Sequence, residues 1–265
     1  MNNKKILYWS IVVALAGFLF GFDTVVISGA DKQLQQLWGS SDLYHGLIVM
    51  SSALWGTVIG ALFGSYPTNS LGRKKTLIII GLLFFISALG TALANDSIIF
   101  SIFRFLGGIG IGASTIAAPT YVSEIAPAKD RGKLVALYQF NIVFGILIAF
   151  TSNFYLQDIG ENSWRWMLGI QALPAFVYTL LVFGIPESPR WIFEYKKDRA
   201  QAISILKQIN TDAQVEEEIT AIENETAHEG KKESIFMKKY RTPLLLAFFI
   251  AFFNQLSGIN AFLYY

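Results

Sequence analysis

The chain has 265 residues, of which 53% are hydrophobic and only 15% are charged, and its mean hydropathy is +0.46. An ordinary soluble domain carries about 25% charged residues, so the composition excludes that class. The net charge of +2 does not indicate a nucleic-acid partner, and a chain without cysteine excludes disulfides and thiol chemistry.

Seven apolar stretches have about the length of a membrane-spanning helix, which needs roughly 20 predominantly apolar residues. They predict an all-α membrane protein and cover residues 6–30, 44–67, 76–94, 97–123, 134–156, 166–186 and 242–265.

Basic residues precede the first stretch and follow the second and the fourth, whereas the loops between are mostly acidic. By the positive-inside rule the N-terminus is cytoplasmic, as is the segment after the sixth stretch. The basic positions are Lys4, Lys5, Arg73, Lys74, Lys75, Lys129, Arg131 and Lys133.

The segment 187–241 holds 21 of the 40 charged residues, which marks it as the main aqueous part of the chain. Ala200, Ile203, Leu206 and Ile209 recur at helical spacing, and a similar pattern follows in 211–227. The spacing predicts two or three short amphipathic helices, with a solvated linker as the alternative. We therefore expect a six-helix bundle (1–186), a cytoplasmic helical insert (187–241) and a seventh helix (242–265) that begins a second bundle, as in transporters built from two such halves.

Asp23 and Arg104 are the clearly mid-membrane charges of the first six stretches. Ionisable groups are costly in a bilayer, so we expect the first and fourth helices to touch and the two side chains to pair. Gly108 and Gly112 form a small-residue pair that would let another backbone approach. The pair is either a static lock or a switch that opens when Asp23 takes up a proton.

Amides form the second group of polar residues in the apolar stretches. Gln139 shares a helix face with Ile142 and Ile146, and we expect this face to point into the bundle interior. There the amide would form either a hydrogen bond to another helix or a contact with a ligand. The seventh helix carries a cluster that Ser257-Gly258 would interrupt: Asn254, Gln255, Asn260 and Tyr264. Amides both donate and accept hydrogen bonds, which suits a neutral, hydroxyl-rich ligand.

Charged residues recur where helices end on the cytoplasmic side. They predict a gating network of ion pairs, with weak surface salt bridges as the alternative. The residues are Arg73, Glu124, Arg131, Glu187 and Arg190.

Enzyme chemistry has no support in the sequence. There is no P-loop, and His45 and His228 have no metal-ligand neighbours. We expect neither a metal nor another cofactor.

Five motifs, in this order and spacing, resemble the sugar porter family of the major facilitator superfamily: GFDTVVISGA, FRFLGGIGIG, YVSEIAPAKDRGK, PESPRW and NQLSGINAFLYY. The resemblance covers the whole chain. It implies the first six-helix half of a twelve-helix fold, the cytoplasmic helices and the seventh helix, so it implies a truncated member.

The resemblance also implies roles for single residues. Bacterial proton-coupled members carry an acid at the position of Asp23, and Arg104 matches its partner. The implied sugar contacts are Phe20, Gln139, Ile142, Ile146, Asn254, Gln255, Asn260 and Tyr264. Asn254 replaces a glutamine of the motif. Ile146 stands where xylose-type members have a second glutamine, which favours a hexose. Asn69 and Ser70 replace an acid and an arginine of the common loop motif.

The predicted function is proton-coupled transport of a neutral monosaccharide by alternating access, with sugar, protons and membrane lipid as partners, in the bacterial inner membrane. A passive sugar facilitator is one alternative. A truncated product or sugar sensor without transport is the other.

Overall fold

The computed structural model describes residues 3–127, 129–228 and 237–258, and these residues form helices and short connections without any β-strand. Six of the described helices are long and apolar enough to cross a membrane. The prediction of an all-α membrane protein is therefore confirmed. The six spans are α1 (Lys4–Gly29), α2 (Asp42–Phe63), α3 (Arg73–Leu93), α4 (Ser97–Ile125), α5 (Arg131–Leu156) and α6 (Ser163–Phe183).

Three of these spans depart from a regular α-helix. The last turn of α1, Ile27–Gly29, tightens to a 3-10 helix before the short helix Asp31–Trp38. α2 widens to π-helical turns over His45–Met50. α6 is interrupted between Gly169 and Ala172, just before Pro174, whose ring cannot continue the preceding hydrogen-bond ladder.

Close backbone approaches hold the bundle together. α4 packs on α2 and α3, α1 packs on α5, and α6 packs on α3. A methyl group added at Gly108 would lie 2.1 Å from the carbonyl oxygen of Ala53 in α2, and one at Gly21 would lie 1.9 Å from that of Ile142 in α5. The glycines therefore let these helices touch through their backbones.

The segment after α6 forms short helices, as its spacing predicts. Pro189–Trp191 and Ile192–Lys196 precede α7 (Arg199–Leu206) and α8 (Asp212–His228). The buried face of α7 differs from the predicted one, because Ala200 is exposed and Ile203 half-buried. Ala202, Ile205 and Leu206 are buried instead, with Ile209 just beyond the helix.

The chain divides into two compact units, Met1–Val215 and Glu216–Tyr265. The described part of the second unit ends in α9 (Arg241–Leu256), followed by Gly258 with φ +76°. The helix therefore ends where the Ser257-Gly258 pair predicts a break.

Candidate functional site

Asp23 and Arg104 form a buried ion pair between α1 and α4, and both side chains are 1% exposed. Arg104 Nη1 donates to Asp23 Oδ1 over 2.9 Å, and Nη2 donates to the backbone carbonyl oxygen of Asp23 over 3.0 Å. A guanidinium only donates, so it satisfies two acceptors of one residue at once. The structure thus brings together the two charges that the sequence singles out.

The second carboxylate oxygen of Asp23, Oδ2, is buried and makes no hydrogen bond within the described residues, and neither does Arg104 Nε. Gly107 of α4 provides the space beside this oxygen, since a methyl group added there would lie 3.6 Å from Oδ2. Gln171 of α6 completes the surroundings; its Nε2 donates to the carbonyl oxygen of Leu19 over 3.4 Å. The carboxylate therefore has one oxygen bound to arginine and a second oxygen that has no hydrogen-bond partner at bonding distance among the described residues, although the amide of Gln171 lies beside the group.

Candidate sugar contacts in the first unit lie on α1 and α5, whose backbones meet at Gly17, Gly21 and Gly145. Phe20, Ile142 and Ile146 are half-buried.

Gln139 is exposed in this chain, so its side chain does not pack among the six spans. The neighbouring Tyr138 takes the buried position on α5 and shares a 2.9 Å hydrogen bond with the hydroxyl of Ser114. Successive helical residues point about 100° apart, which turns the amide of Gln139 outward.

The candidate sugar contacts of the seventh helix are described only in part. Asn254 is exposed on α9. Gln255 has a described backbone, but its side chain lies outside the described part, as do Asn260 and Tyr264.

A second buried ion pair joins the start of α3 to the end of α4. Arg73 Nη2 donates to Glu124 Oε1 over 2.7 Å, and its Nε donates to Oε2 over 2.9 Å. Both side chains are less than 9% exposed. Two parallel donors to one carboxylate give this pair a defined geometry as well as charge attraction.

Glu187 connects the chain after α6 to the start of α3 through backbone N–H groups. Its Oε1 accepts the backbone N–H groups of Lys74 and Ser188, each over 2.9 Å. Burial raises the pKa of the Glu187 carboxyl, against the opposing effect of the backbone N–H groups of Lys74, Ser188 and Arg73 and of the Arg73 charge. Gly72 makes room for it, because Gly72 has φ +99° and a methyl there would lie 2.3 Å from Glu187 Oε2.

The other two residues of the predicted network stand apart from these contacts. Arg190 Nε donates to Glu194 Oε1 of its own segment over 2.7 Å. Arg131 is exposed at the start of α5. Among the described residues, then, the structure links Arg73 with Glu124 and places Glu187 beside them.

Gln171 of α6 lies beside Asp23, and the sequence analysis did not name it. Its signal was available, since it is the single amide in the apolar stretch 166–186. Asn153 was not named either; its Nδ2 donates to the carbonyl oxygen of Val26 over 3.0 Å and ties α5 to the end of α1.

No group of His, Asp and Glu within the described ranges could hold a metal ion.

Comparisons with known proteins agree on one family. The family model described as "Sugar (and other) transporter" matches residues 9–265. The arabinose-proton symporter of Bacillus subtilis is 36% identical over 97% of this chain and 56% of its own length. The D-xylose-proton symporter of Escherichia coli is 32% identical over 100% of this chain and 60% of its own length. The Synechocystis glucose transport protein is 37% identical, again over 100% of this chain and 59% of its own length.

The fold is similar to solved structures of the same kind. The partially occluded, inward-open structure of the xylose transporter XylE from Escherichia coli superposes with a TM-score of 0.87 at 31% identity, covering 98% of this chain and 66% of that one. The chain therefore spans less than two thirds of the curated relatives it matches.

Proposed function

Because the chain belongs to the sugar transporter family, we propose that it supplies the proton site and part of the sugar site of a proton-coupled monosaccharide transporter. The family consists of transporters, and the six apolar spans make the chain a multi-pass membrane protein. We propose in addition that its substrate is a neutral monosaccharide and that transport is coupled to protons.

The observation that carries it is the buried Asp23–Arg104 pair, in which one carboxylate oxygen has no hydrogen bond to any residue that the structure describes. A proton that binds this oxygen would neutralise Asp23 and remove its attraction for Arg104. Since the guanidinium bonds α4 to both the side chain and the backbone of α1, weakening this attraction would let the two helices shift. Proton uptake and helix movement would then be one event.

We assign the sugar contacts to Phe20, Gln139, Ile142 and Ile146 on α1 and α5, together with Asn254, Gln255, Asn260 and Tyr264. An exposed amide is costly against lipid, so the outward position of Gln139 fits a water-filled cavity or a bound ligand. The named relatives carry arabinose, xylose and glucose. The apolar side chain of Ile146 favours a hexose here.

Alternating access needs two bundles that rock around a shared site. We therefore propose that residues 1–186 form the N-terminal bundle, 187–241 a cytoplasmic insert and 242–265 the start of a second bundle, with the N-terminus in the cytoplasm of a bacterium. The contacts around Arg73, Glu124 and Glu187, with Arg131 and Arg190 nearby in sequence, would act as the cytoplasmic gate.

The test compares uphill uptake with counterflow in liposomes, using a protein in which these 265 residues are joined to a second bundle. With an inward proton gradient, Asp23→Asn is expected to abolish uphill accumulation of labelled glucose or xylose and to retain counterflow. Asp158→Asn, an exposed acid between α5 and α6, is the matched control and should leave both unchanged.

Three results would redirect the proposal. Undiminished uphill uptake in Asp23→Asn would remove Asp23 from coupling. Wild-type uptake that does not depend on the proton gradient would indicate a passive facilitator. Sugar binding without flux would indicate a sensor.

A further inference from the structure

Ser87 is a buried serine of α3 whose hydroxyl has no hydrogen-bond partner among the described residues. Ser87 as a whole is 1% exposed. Neighbouring hydroxyls on the same helix bond back to the preceding turn, as Thr91 Oγ1 does to the carbonyl oxygen of Ser87 over 2.7 Å. A buried polar group without a partner costs about 1–3 kcal/mol, so the position of this hydroxyl needs a reason.

The hydroxyl of Ser87 lies against the same glycine as the free oxygen of Asp23. A methyl group added at Gly107 would lie 2.4 Å from Ser87 Oγ and 3.6 Å from Asp23 Oδ2. Both oxygens are buried, and neither has a hydrogen bond within the described ranges. Three helices thus bring an unpartnered hydroxyl and an unpartnered carboxylate oxygen to one place.

The free oxygen is also where a proton would bind. Oδ1 already accepts from Arg104, and a guanidinium can only donate, so an added proton belongs on Oδ2. The new O–H group then needs an acceptor nearby. A serine oxygen accepts hydrogen bonds, so this hydroxyl can serve the carboxylic acid.

The other groups around Asp23 are less suited to this role. Arg104 supplies the charge from α4, and its unpartnered Nε is a donor only. From α6, Gln171 donates one Nε2–H to the carbonyl oxygen of Leu19 over 3.4 Å, and its second N–H lies beside the carboxylate as a donor, not as an acceptor for the proton of the acid. On α5, the titratable Tyr138 has its hydroxyl bonded to Ser114.

We propose that Ser87 is a positioning residue for the proton on Asp23. When Asp23 takes up a proton, the Ser87 hydroxyl accepts from the Oδ2–H of the acid, so the proton has a defined place as the bond to Arg104 weakens. Gly107 is part of this arrangement, because any side chain there would push the hydroxyl away. The inference rests on the proposed proton role of Asp23.

Infrared spectroscopy of the purified protein during a pH titration tests this directly. The carbonyl stretch of protonated Asp23 is identified by its loss in Asp23→Asn. In Ser87→Ala this band is expected to move to higher frequency, because the acid has lost its hydrogen-bond acceptor. Ser87→Thr keeps a hydroxyl and should keep the band near its wild-type position.

Ser10→Ala is the matched control. It removes another buried, unpartnered serine hydroxyl, on α1 more than three turns before Asp23, and should leave the band in place. Gly107→Ala retains Ser87 but displaces its hydroxyl, and it should shift the band in the same direction as Ser87→Ala.

The outcomes separate the two proposals. If no titrating band disappears in Asp23→Asn, the proton role of Asp23 fails and the role of Ser87 fails with it. If the band is present but unchanged in Ser87→Ala, only the role of Ser87 is overturned. An equal shift in Ser10→Ala would also overturn it, since the effect would then come from general loosening of the bundle.

Discussion

Arg104 holds two parts of α1 at once, the side chain and the backbone carbonyl of Asp23. Removing one partner of a buried ion pair leaves an uncompensated charge, which costs far more than the pair gains over an apolar substitute. The pair therefore matters for stability mainly through the penalty of breaking it, and this property also makes it suitable as a switch.

We expect Arg104→Met to lower the free energy of unfolding by about 3–5 kcal/mol, because it strands the buried Asp23 carboxylate. Thermal and denaturant unfolding of the purified protein measures the loss. Lys207→Met is the control; Lys207 pairs with Asp212 at the surface, with side-chain exposures of 57% and 88%. A surface pair is worth about 0–1 kcal/mol, and equal losses in the two variants would contradict the prediction.

Glu187 gives a prediction about pH. Burial raises the pKa of its carboxyl in the folded state above the usual 4.5, so between 4.5 and the raised value the folded chain binds more protons than the unfolded chain. Its contribution to stability is therefore fully present below pH 4.5 and is lost as the pH rises through the folded value. Glu187→Gln should be free of this loss, so the stability of the variant relative to wild type should increase with pH.

Unfolding midpoints of wild type and Glu187→Gln, measured from pH 4 to pH 8, check this difference. The glutamine oxygen can still accept from the backbone N–H groups of Lys74 and Ser188, so the geometry is retained. A difference that is constant over the pH range, or that decreases as the pH rises, would refute the sign.

At the scale of the helices, glycine decides which elements touch. Gly108 and Gly112 predict that some backbone approaches α4, and the structure shows that this backbone belongs to α2. α1 reaches α4 as well, through the Asp23–Arg104 pair, and makes its own glycine contact with α5. A small-residue pair thus identifies a close contact but does not name the partner helix.

Gly112→Ala is expected to destabilise the bundle, because the new methyl would lie 2.2 Å from the carbonyl oxygen of Thr57 and 2.4 Å from the backbone nitrogen of Ala61. Backbone atoms cannot move aside alone, so α2 must separate from α4. Thermal unfolding in detergent measures the effect.

The control for this change is Gly132→Ala in α5, where an added methyl meets nothing within 4 Å. Alanine is favoured over glycine in a helix by roughly 0.5–1 kcal/mol, so this variant should be as stable as wild type or more so. A Gly112→Ala protein as stable as the control would show that the close approach is not needed.

At the scale of the whole molecule, the proposed topology in the membrane rests on the charges of the loops. The chain has no native cysteine, so single introduced cysteines report their side of the membrane without background. We expect a membrane-impermeant maleimide to label Asp158→Cys in intact cells and Gln208→Cys only after lysis; both positions are exposed. The reverse pattern would invert the proposed orientation.

The sequence by itself determined the helical class and approximate bounds of the six spans and the mid-membrane charges. These follow from local physics: a bilayer demands about 20 apolar residues per span, and it penalises any ionisable group left without a partner. Asp23 and Arg104 were therefore recognisable as a pair from two positions 81 residues apart.

Only the tertiary structure decided which side chains meet around that pair. Spacing along one helix does not define its rotation against its neighbours. It could not show that Tyr138 and not Gln139 faces inward, or that Glu187 bonds to backbone N–H groups. The meeting of Ser87, Gly107 and Asp23 likewise depends on the packing of three helices. α3 contributes the hydroxyl, α1 the carboxylate oxygen and α4 the glycine that leaves space for both.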